Sequence, residues 1–358
     1  MHIIAPRLAV IISVCVGLTV VLFACCDREN PFKPPPDADT TDYKVYFNDA
    51  EHLYTYFAYH TATKSVDSFT LPYPSDRGFA ISPDGKTMYL NTGTSIAVID
   101  LDSLVVLDER PINVIGYMVT ISPDGQYLAV MEPELAIVQV CDFSTIFYDD
   151  GYSGNGIFSA DSKTFYCATF DSGGYLFAHK ISLSNTITAD TIYFPGGDAW
   201  RIVPNRSQTT WFLFLWVRLD YFIFRVYDPL VDSTLFDYLF APGHGDMLIT
   251  PDGRYVVFSQ PGRLNSDVPA PSYFTVFDVA ANRIADTVSV RGIADGTNPT
   301  FMPIGELCIT PNGRHLVGLG FGGGLRLFDY DLTRKKYQCY HFLGWDKYPT
   351  DLTCQSSP

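Results

Sequence analysis

The chain has 358 residues, of which 47% are hydrophobic and 18% are charged, and these values exclude an intrinsically disordered protein. Aromatic residues make up 15%, and 27 glycines and 24 prolines accompany them, a mixture that favours many short strands joined by tight turns over a helical bundle. The formal net charge is −15, and no extended cluster of Lys and Arg is present. Because nucleic-acid binding requires a basic surface, we expect no nucleic-acid partner.

Residues 1–24 have the pattern of a secretory signal peptide. Arg7 precedes an uncharged, mostly apolar run of 17 residues, Leu8 to Ala24, whereas a bilayer span needs about 20. The run ends in Leu22-Phe23-Ala24-Cys25, which resembles the lipobox of bacterial lipoproteins, with an aliphatic residue three positions before the acylated cysteine. The resemblance implies that Cys25 is lipidated and becomes the mature N-terminus. An uncleaved N-terminal membrane anchor is the alternative.

Residues 25–41 are polar and proline-rich, and three consecutive prolines at positions 34–36 favour an extended segment rising about 3.1 Å per residue. We interpret this segment as a tether between the lipid and a folded domain that comprises residues 42–358. The predicted location is the bacterial cell envelope, either periplasmic or at the cell surface. The membrane is therefore a predicted partner through the N-terminal lipid anchor.

The domain consists of repeats, each marked by a Ser/Thr-Pro-Asp-Gly turn between β-rich runs. The turn occurs six times in complete or weakened form, beginning at Ser82, Ser122, Ser159, Val203, Thr250 and Thr310. Spacings of 37 to 60 residues separate successive turns, and periods near 40 are typical of β-propeller blades. In such a turn proline presets φ, aspartate hydrogen-bonds to the turn backbone and glycine adopts the left-handed conformation. We therefore interpret the aspartates of the turns as structural.

Alternating strands later in each repeat support the same register, since alternation buries one strand face between neighbouring blades. Four such strands end in an acid that is expected to begin the next turn, namely Asp100, Asp228, Asp278 and Asp329.

Residues 81–112, ISPDGKTMYLNTGTSIAVIDLDSLVVLDERPI, resemble a repeat of the YVTN type, which is related in pattern to lactonase-like and WD-type propellers. The resemblance covers most of residues 43–354 and implies an architecture, not an activity. Six turns indicate six blades, and Tyr43 to Pro72 adds a seventh that lacks its first strand. The prediction is an all-β, seven-bladed propeller of four-stranded antiparallel blades, closed by a C-terminal strand at residues 350–354. Eight blades are the alternative, because the last period is stretched.

No catalytic or metal-binding motif accompanies the repeats. The sequence contains no Gly-x-Ser-x-Gly elbow, HExxH, Cys-x-x-Cys or Walker loop, and its seven histidines do not stand at metal-ligand spacing. We therefore predict no catalytic residue, no metal and no cofactor. The sequence has eight cysteines, and seven remain once Cys15 is removed with the signal peptide. This odd number without a framework spacing favours buried free thiols, with one disulfide left open, for Cys141, Cys167, Cys308, Cys339 and Cys354.

The connections between blades lie on the face opposite the tight turns, and we expect function there. Two loops on this face, 259–272 and 291–306, are longer than a turn requires. The candidate binding face comprises Arg77, Asp149, Tyr152, Trp200, Arg201, His244, Asp246, Arg263, Asp295 and Trp345. Each of these alone is interpreted as a solvated surface group, whereas the set around a central funnel is a candidate binding site.

Three functions fit this pattern. The tether, the lipid and the absence of a catalytic motif favour a non-catalytic binding or scaffold module for a protein or glycan partner. The alternative is a lactonase-like or other hydrolase with its site in the propeller funnel. A third reading is a quinone- or metal-dependent oxidoreductase subunit, although its ligand residues are not evident.

Overall fold

The computed structural model contains strands and tight turns and no helix within the residues it describes. It describes residues 42–49, 54–74, 78–112, 114, 116–150, 153–170, 176–184, 186–192, 194, 198–217, 221–240, 245–260, 272–290, 304–320, 325–344 and 349–354. Within these ranges no helix could cross a membrane. The predicted signal peptide, Cys25 and the tether lie outside the described residues.

The strands form seven four-stranded antiparallel sheets, which are the blades. Blade 1 contains β1 (Lys44–Asp49), β2 (Thr55–His60) and β3 (Val66–Thr70). Blade 2 contains β4 (Phe79–Ile81), β5 (Thr87–Asn91), β6 (Ser95–Asp100) and β7 (Val105–Pro111). Blade 3 contains β8 (Gly116–Ile121), β9 (Tyr127–Pro133), β10 (Leu135–Gln139) and β11 (Thr145–Asp149). Blade 4 contains β12 (Ser153–Phe158), β13 (Thr164–Phe170), β14 (Leu176–Ser182) and β15 (Thr188–Ile192). Blade 5 contains β16 (Asp198–Pro204), β17 (Trp211–Val217), β18 (Tyr221–Asp228) and β19 (Ser233–Phe240). Blade 6 contains β20 (Met247–Ile249), β21 (Tyr255–Gln260), β22 (Ser272–Asp278) and β23 (Arg283–Val290). Blade 7 contains β24 (Ile304–Ile309), β25 (His315–Gly320), β26 (Leu325–Asp331) and β27 (Lys336–Gly344). The last strand is β28 (Pro349–Cys354).

The C-terminal strand closes the ring. β28 pairs antiparallel with β1, with Cys354 opposite Val45 and Leu352 opposite Phe47, so blade 1 has the order β28-β1-β2-β3. Each innermost strand contacts the next, in the sequence β4, β8, β12, β16, β20, β24, β28 and back to β4. The predicted seven blades and the predicted closure are confirmed, and the eight-bladed alternative is wrong.

The tight turns have the predicted chemistry. The Ser82 hydroxyl donates to Asp84 Oδ1 at 2.6 Å, the backbone N–H of Lys86 donates to the same oxygen at 3.1 Å, and Gly85 has φ +71°. Hydrogen bonds of the same kind recur in the turns that begin at Ser122, Ser159, Thr250 and Thr310. The acidic or amide side chain in the third position is therefore structural, as predicted.

The weakened turns of blades 4 and 5 keep the geometry without glycine. Ser162 and Gln208 occupy the fourth position, each with φ +59°, and each contacts the turn of the preceding blade. Ser162 Oγ accepts from the backbone N–H of Asp124 at 3.0 Å, and Gln208 Nε2 donates to Asp161 Oδ1 at 3.2 Å. These contacts between turns offset the cost of the left-handed conformation for a residue with a side chain.

The turn of blade 5 begins two residues later than predicted. Val203 and Pro204 belong to β16, and the turn starts at Asn205, whose Oδ1 accepts from the backbone N–H of Thr210 at 3.1 Å. Ser82 Oγ plays the same role toward Thr87 in blade 2. An amide oxygen thus replaces the hydroxyl, which the Ser/Thr-Pro-Asp-Gly pattern did not anticipate.

Two glycine replacements separate the backbone cost of the turn from contact between turns. Gly125 has φ +74° and its added Cβ would lie 3.1 Å from Cδ of Pro83, whereas Gly253 has φ +71° and open space around it. We expect Gly253→Ala to lower the free energy of unfolding by about 1–2 kcal/mol, the cost of a left-handed residue, and Gly125→Ala to lower it more. Urea unfolding of both variants measures the difference, and equal losses would show that the turns of blades 2 and 3 do not press on each other.

Aromatic residues fill the space between blades. At the junction of blades 5 and 6, Phe224 stacks on Phe258 with ring centroids 4.5 Å apart, and Phe277 contacts Phe224 edge-on at 5.1 Å. All three side chains are fully buried. Because each buried aromatic side chain contributes about 1.5–3 kcal/mol, packing at this junction stabilises the ring.

A buried polar network joins blade 7 to blade 1. Asp329 is fully buried, and its carboxylate accepts hydrogen bonds from the Tyr59 hydroxyl at 2.6 Å and from Lys64 Nζ at 2.8 Å. His315 Nδ1 lies 2.8 Å from the other carboxylate oxygen. Tyr59 and Lys64 belong to blade 1, so this carboxylate connects the first and last blades of the ring.

The register prediction for Asp329 is therefore wrong. Asp100, Asp228 and Asp278 do end their strands and accept backbone hydrogen bonds within the next turn. In blade 7 that position is taken by Asp331, which accepts from the backbone N–H groups of Thr333 and Arg334. Asp329 lies two residues earlier, inside β26, because blade 7 has an acid at both positions.

The expectation of buried free thiols holds only in part. Cys167 is a buried free cysteine, but Cys141 is free and exposed. Cys308 forms a disulfide, and its partner is a cysteine whose side chain lies outside the described part of the structure. The side chains of Cys339 and Cys354 are also outside it. The disulfide that the sequence left open is thus present.

Candidate functional site

Asp246 is a buried acid beside the funnel, the space that the innermost strands of the seven blades surround. It lies directly before the innermost strand of blade 6 and is only 2% exposed. Its Oδ1 accepts from the backbone N–H of Met247 at 2.7 Å, and its Oδ2 accepts from that of Leu307 in blade 7 at 2.9 Å. Its own backbone N–H donates to Ser259 Oγ at 2.7 Å. Asp246 therefore joins the innermost strands of blades 6 and 7.

Arg201 completes this arrangement from blade 5. Its Nη1 lies 2.5 Å from Asp246 Oδ1, and its side chain is 20% exposed whereas that of Asp246 is 3% exposed. Gly245 lets the chain before Asp246 pass close to Ser259 of β21, because a side chain there would collide with the Ser259 carbonyl oxygen. Partners from blades 5, 6 and 7 engage both oxygens of the Asp246 carboxylate, so this side chain ties three neighbouring blades together.

Charged residues occupy one register position in four consecutive blades. Arg201, Asp246 and Glu306 each precede the first residue of their tight turn by four positions. In blade 1, Asp351 stands opposite Asn48, the same register position in β28. The sequence interpretation did not single out Glu306 or Asp351 as site residues. Counting four residues back from each turn would have found Glu306.

The predicted binding face is described only in part. Six of its residues lie outside the described residues, namely Arg77, Tyr152, His244, Arg263, Asp295 and Trp345. For Trp200 only the backbone, in β16, is described. The structure brings Arg201 and Asp246 together. It does not bring Asp149 to them, because Asp149 ends the outermost strand of blade 3. The interpretation of Asp246 as a solvated surface group is wrong, since the residue is buried.

Asp149 lies instead near a Cys–His pair in blade 4. Cys167 and His179 are opposite each other on β13 and β14, and His179 Nε2 is 3.9 Å from Asp149 Oδ2. Burial, followed by the charge of Asp149, raises the pKa of the Cys167 thiol. Burial lowers the pKa of His179, although Asp149 acts in the opposite direction. A buried neutral thiol beside a neutral imidazole is unsuited to nucleophilic catalysis, which requires a thiolate.

A metal centre has no support in the described ranges. Within them no group of three or more His, Cys, Asp or Glu side chains could hold a metal ion.

A double-mutant cycle tests the structural role of Asp246. We expect Asp246→Asn to lower the free energy of unfolding by about 2–3 kcal/mol, because Arg201 then loses its partner in a largely buried site. Combined with Arg201→Met, the coupling energy should be about 1–3 kcal/mol. Asp149→Asn is the matched control and should cost less than about 1 kcal/mol, since Asp149 is half-buried and 3.9 Å from His179. A coupling energy near zero would remove Asp246 from its role as a tie between blades.

Comparison with known proteins identifies the fold and no family. No protein-family model matches the chain, and no curated protein sequence matches it. Among solved structures, the periplasmic gluconolactonase PpgL of Pseudomonas aeruginosa is similar with a TM-score of 0.60 at 13% identity, over 89% of this chain and 100% of that one. A 6-phosphogluconolactonase of Bacteroides fragilis has a TM-score of 0.58 at 13% identity, over 90% and 99% of the two chains. The β-propeller domain of Cps50 (Swd1) of Myceliophteria thermophila has a TM-score of 0.58 at 10% identity, over 75% and 86%. At these identities the similarity establishes the propeller fold alone.

Proposed function

We propose that the protein is a membrane-anchored, extracytoplasmic β-propeller that binds a protein or glycan partner without catalysing a reaction. The binding surface is the face that carries the connections between blades. The observation that carries this proposal is the state of Asp246, the buried acid of the funnel. Two backbone N–H groups and the Arg201 guanidinium engage its carboxylate, so this acid has a structural role in holding blades 5, 6 and 7 together.

An extracytoplasmic location is supported by two observations. Cys308 is in a disulfide, and disulfides persist in oxidising compartments such as the periplasm. One of the similar structures is described as a periplasmic gluconolactonase. The lipid anchor is proposed from the lipobox-like pattern that ends at Cys25, and the propeller that it would carry resembles proteins with YVTN-type repeats.

The hydrolase alternative has its own observation. Charged residues stand at one register position in blades 5, 6, 7 and 1, and two similar structures that match nearly the whole chain are described as lactonases. Arg201, Glu306 and Asp351 are the residues at that register position from which such an enzyme would draw its site.

Hydrolysis of glucono-1,5-lactone separates the two functions. The purified protein and its Arg201→Met variant are each compared with buffer by pH-stat titration of the released acid. We expect all three rates to be equal, because Arg201 and two backbone N–H groups already engage the Asp246 carboxylate. A rate that rises with the concentration of the native protein and falls in the Arg201→Met variant would establish the hydrolase and overturn the binding proposal.

The anchor is tested by Cys25→Ser, with Cys26→Ser as the matched control. We expect Cys25→Ser to block acylation, so that the precursor remains unprocessed or the protein leaves the washed membrane fraction, because one residue carries the acyl chains. Cys26→Ser should keep the lipid and the membrane association. Intact-mass spectrometry gives the readout, and an unmodified Cys25 in membrane-bound native protein would contradict the assignment.

A further inference from the structure

A second opening of the propeller lies on the face that carries the tight turns, opposite the proposed binding surface. A cavity of about 360 Å³ is present there, between turns and innermost strands of blades 3 to 6. Its apolar walls consist of four residues from innermost strands, namely Ile157 and Phe158 of β12, Pro204 of β16 and Ile249 of β20. This volume is within the range of small-molecule sites, which are apolar with a few polar groups that fix orientation.

Arg206 is the distinctive residue of this cavity. The second position of the turn is Pro123 in blade 3, Ala160 in blade 4 and Pro251 in blade 6, and all three line the cavity. Blade 5 has Arg206 at that position, and its side chain is exposed at the rim. Within the described residues Arg206 makes no ion pair or hydrogen bond. A guanidinium beside apolar walls favours a ligand with a carboxylate and an apolar body.

The other polar groups at this opening are already engaged. The Thr250 hydroxyl lines the cavity, but it donates to Asp252 Oδ1 and accepts from the backbone N–H of Tyr255. Asp161, the acid of the blade 4 turn, accepts from Ser159, from the backbone N–H of Lys163 and from Gln208 Nε2. Asp161 and Asp252 are engaged by groups of the turns, and Arg206 is the charged residue among those that line the cavity.

We propose that the cavity binds a small carboxylate with an aliphatic or aromatic body, oriented by Arg206 at the rim. The site is distinct from the loop-bearing face and does not depend on the function proposed for that face. The walls are largely preformed, because they belong to strands and to turns held by hydrogen bonds, and a preformed pocket loses little entropy on binding.

Isothermal titration with 2-naphthoate and its neutral counterpart 2-naphthamide tests the site. The full protein is used in lipid nanodiscs, and empty nanodiscs give the reference for partitioning into lipid. We expect saturable binding of one 2-naphthoate per chain, at least tenfold tighter than 2-naphthamide. Arg206→Gln should weaken 2-naphthoate about tenfold and leave 2-naphthamide unchanged, since the lost contact involves the carboxylate alone.

Two further variants control for fold and for general charge. Ala160→Trp fills the cavity from an exposed position and should abolish binding of both probes while the thermal midpoint stays the same. Arg254→Gln removes a cation from the neighbouring turn, outside the cavity lining, and should bind 2-naphthoate as the native protein does. Absence of saturable binding, equal affinity for the two probes, or an equal loss in Arg254→Gln and Arg206→Gln would overturn the proposal.

Discussion

Asp329→Ala should lower the free energy of unfolding by about 3–5 kcal/mol, the largest effect expected of a single substitution in this protein. The variant leaves Lys64 and His315 without the carboxylate that they share in a buried site, and it opens a void at the junction of blades 7 and 1. Asp108→Ala is the matched control, because Asp108 forms an exposed pair with Arg110 and should cost less than about 1 kcal/mol. Urea unfolding monitored by tryptophan fluorescence gives both values. A loss below 1 kcal/mol for Asp329→Ala would show that the network is not needed for closure.

The same residue makes a prediction about pH. Burial acts to raise the pKa of Asp329, but hydrogen bonds from His315, Lys64 and Tyr59, with the charge of His315, outweigh it, and the pKa lies below the ordinary 3.8. A carboxyl group whose pKa is lowered by folding stabilises the folded state at pH values above its pKa in the unfolded chain. This contribution is lost as the pH falls through its pKa in the folded protein. The difference in stability between the native protein and Asp329→Asn should therefore be constant above about pH 5 and shrink below pH 3.8. A difference that stays constant down to pH 2 would contradict the charge assignment.

Ending the chain at residue 348 should prevent the ring from closing. The truncation removes β28, which pairs with β1 from Val45 to Asp49 and contacts the innermost strands β24 and β4 of the adjacent blades. The edge of β1 then becomes unpaired, and blade 1 loses its innermost strand. We expect the thermal midpoint to fall by more than about 10 °C, since several kcal/mol of pairing and packing are lost at once.

A chain that ends at residue 354 is the matched control for this truncation. It keeps all of β28 and removes only the last four residues, so its thermal midpoint should equal that of the native protein. Equal midpoints for the two truncated chains would show that the ring does not need its C-terminal strand.

The fold was predictable because its signals are local and repeated. A turn such as Ser82 to Gly85 specifies its own hydrogen bonds, and six copies at regular spacing indicate blades without knowledge of distant contacts. The closing strand was predictable because one repeat lacked its first strand. The errors arose where two residues could take one role, as with Val203 and Asn205, or Asp329 and Asp331.

The site was less predictable because its contacts join separate blades. Arg201 and Asp246 were both named from the sequence, but their ion pair depends on how blade 5 packs beside blade 6. Burial of Asp246 follows from its hydrogen bond to Leu307 in blade 7, and no periodicity in the sequence reports that contact. Arg206 was treated as part of a weakened turn, although its departure from proline is what distinguishes the second cavity.

The most direct measurement of binding at the loop-bearing face is site-specific photo-cross-linking in cells that produce the full chain. A benzoylphenylalanine is placed singly at position 150 or 263, in connections that the sequence predicts on the loop-bearing face, and at position 163 in a tight turn as the control. Residue 150 follows the end of β11, residue 263 lies between β21 and β22, and residue 163 follows Ser162. We predict light-dependent adducts with one protein or glycan from positions 150 or 263 and none from position 163. Adducts from position 163 alone, or none from any position, would contradict a binding function on this face.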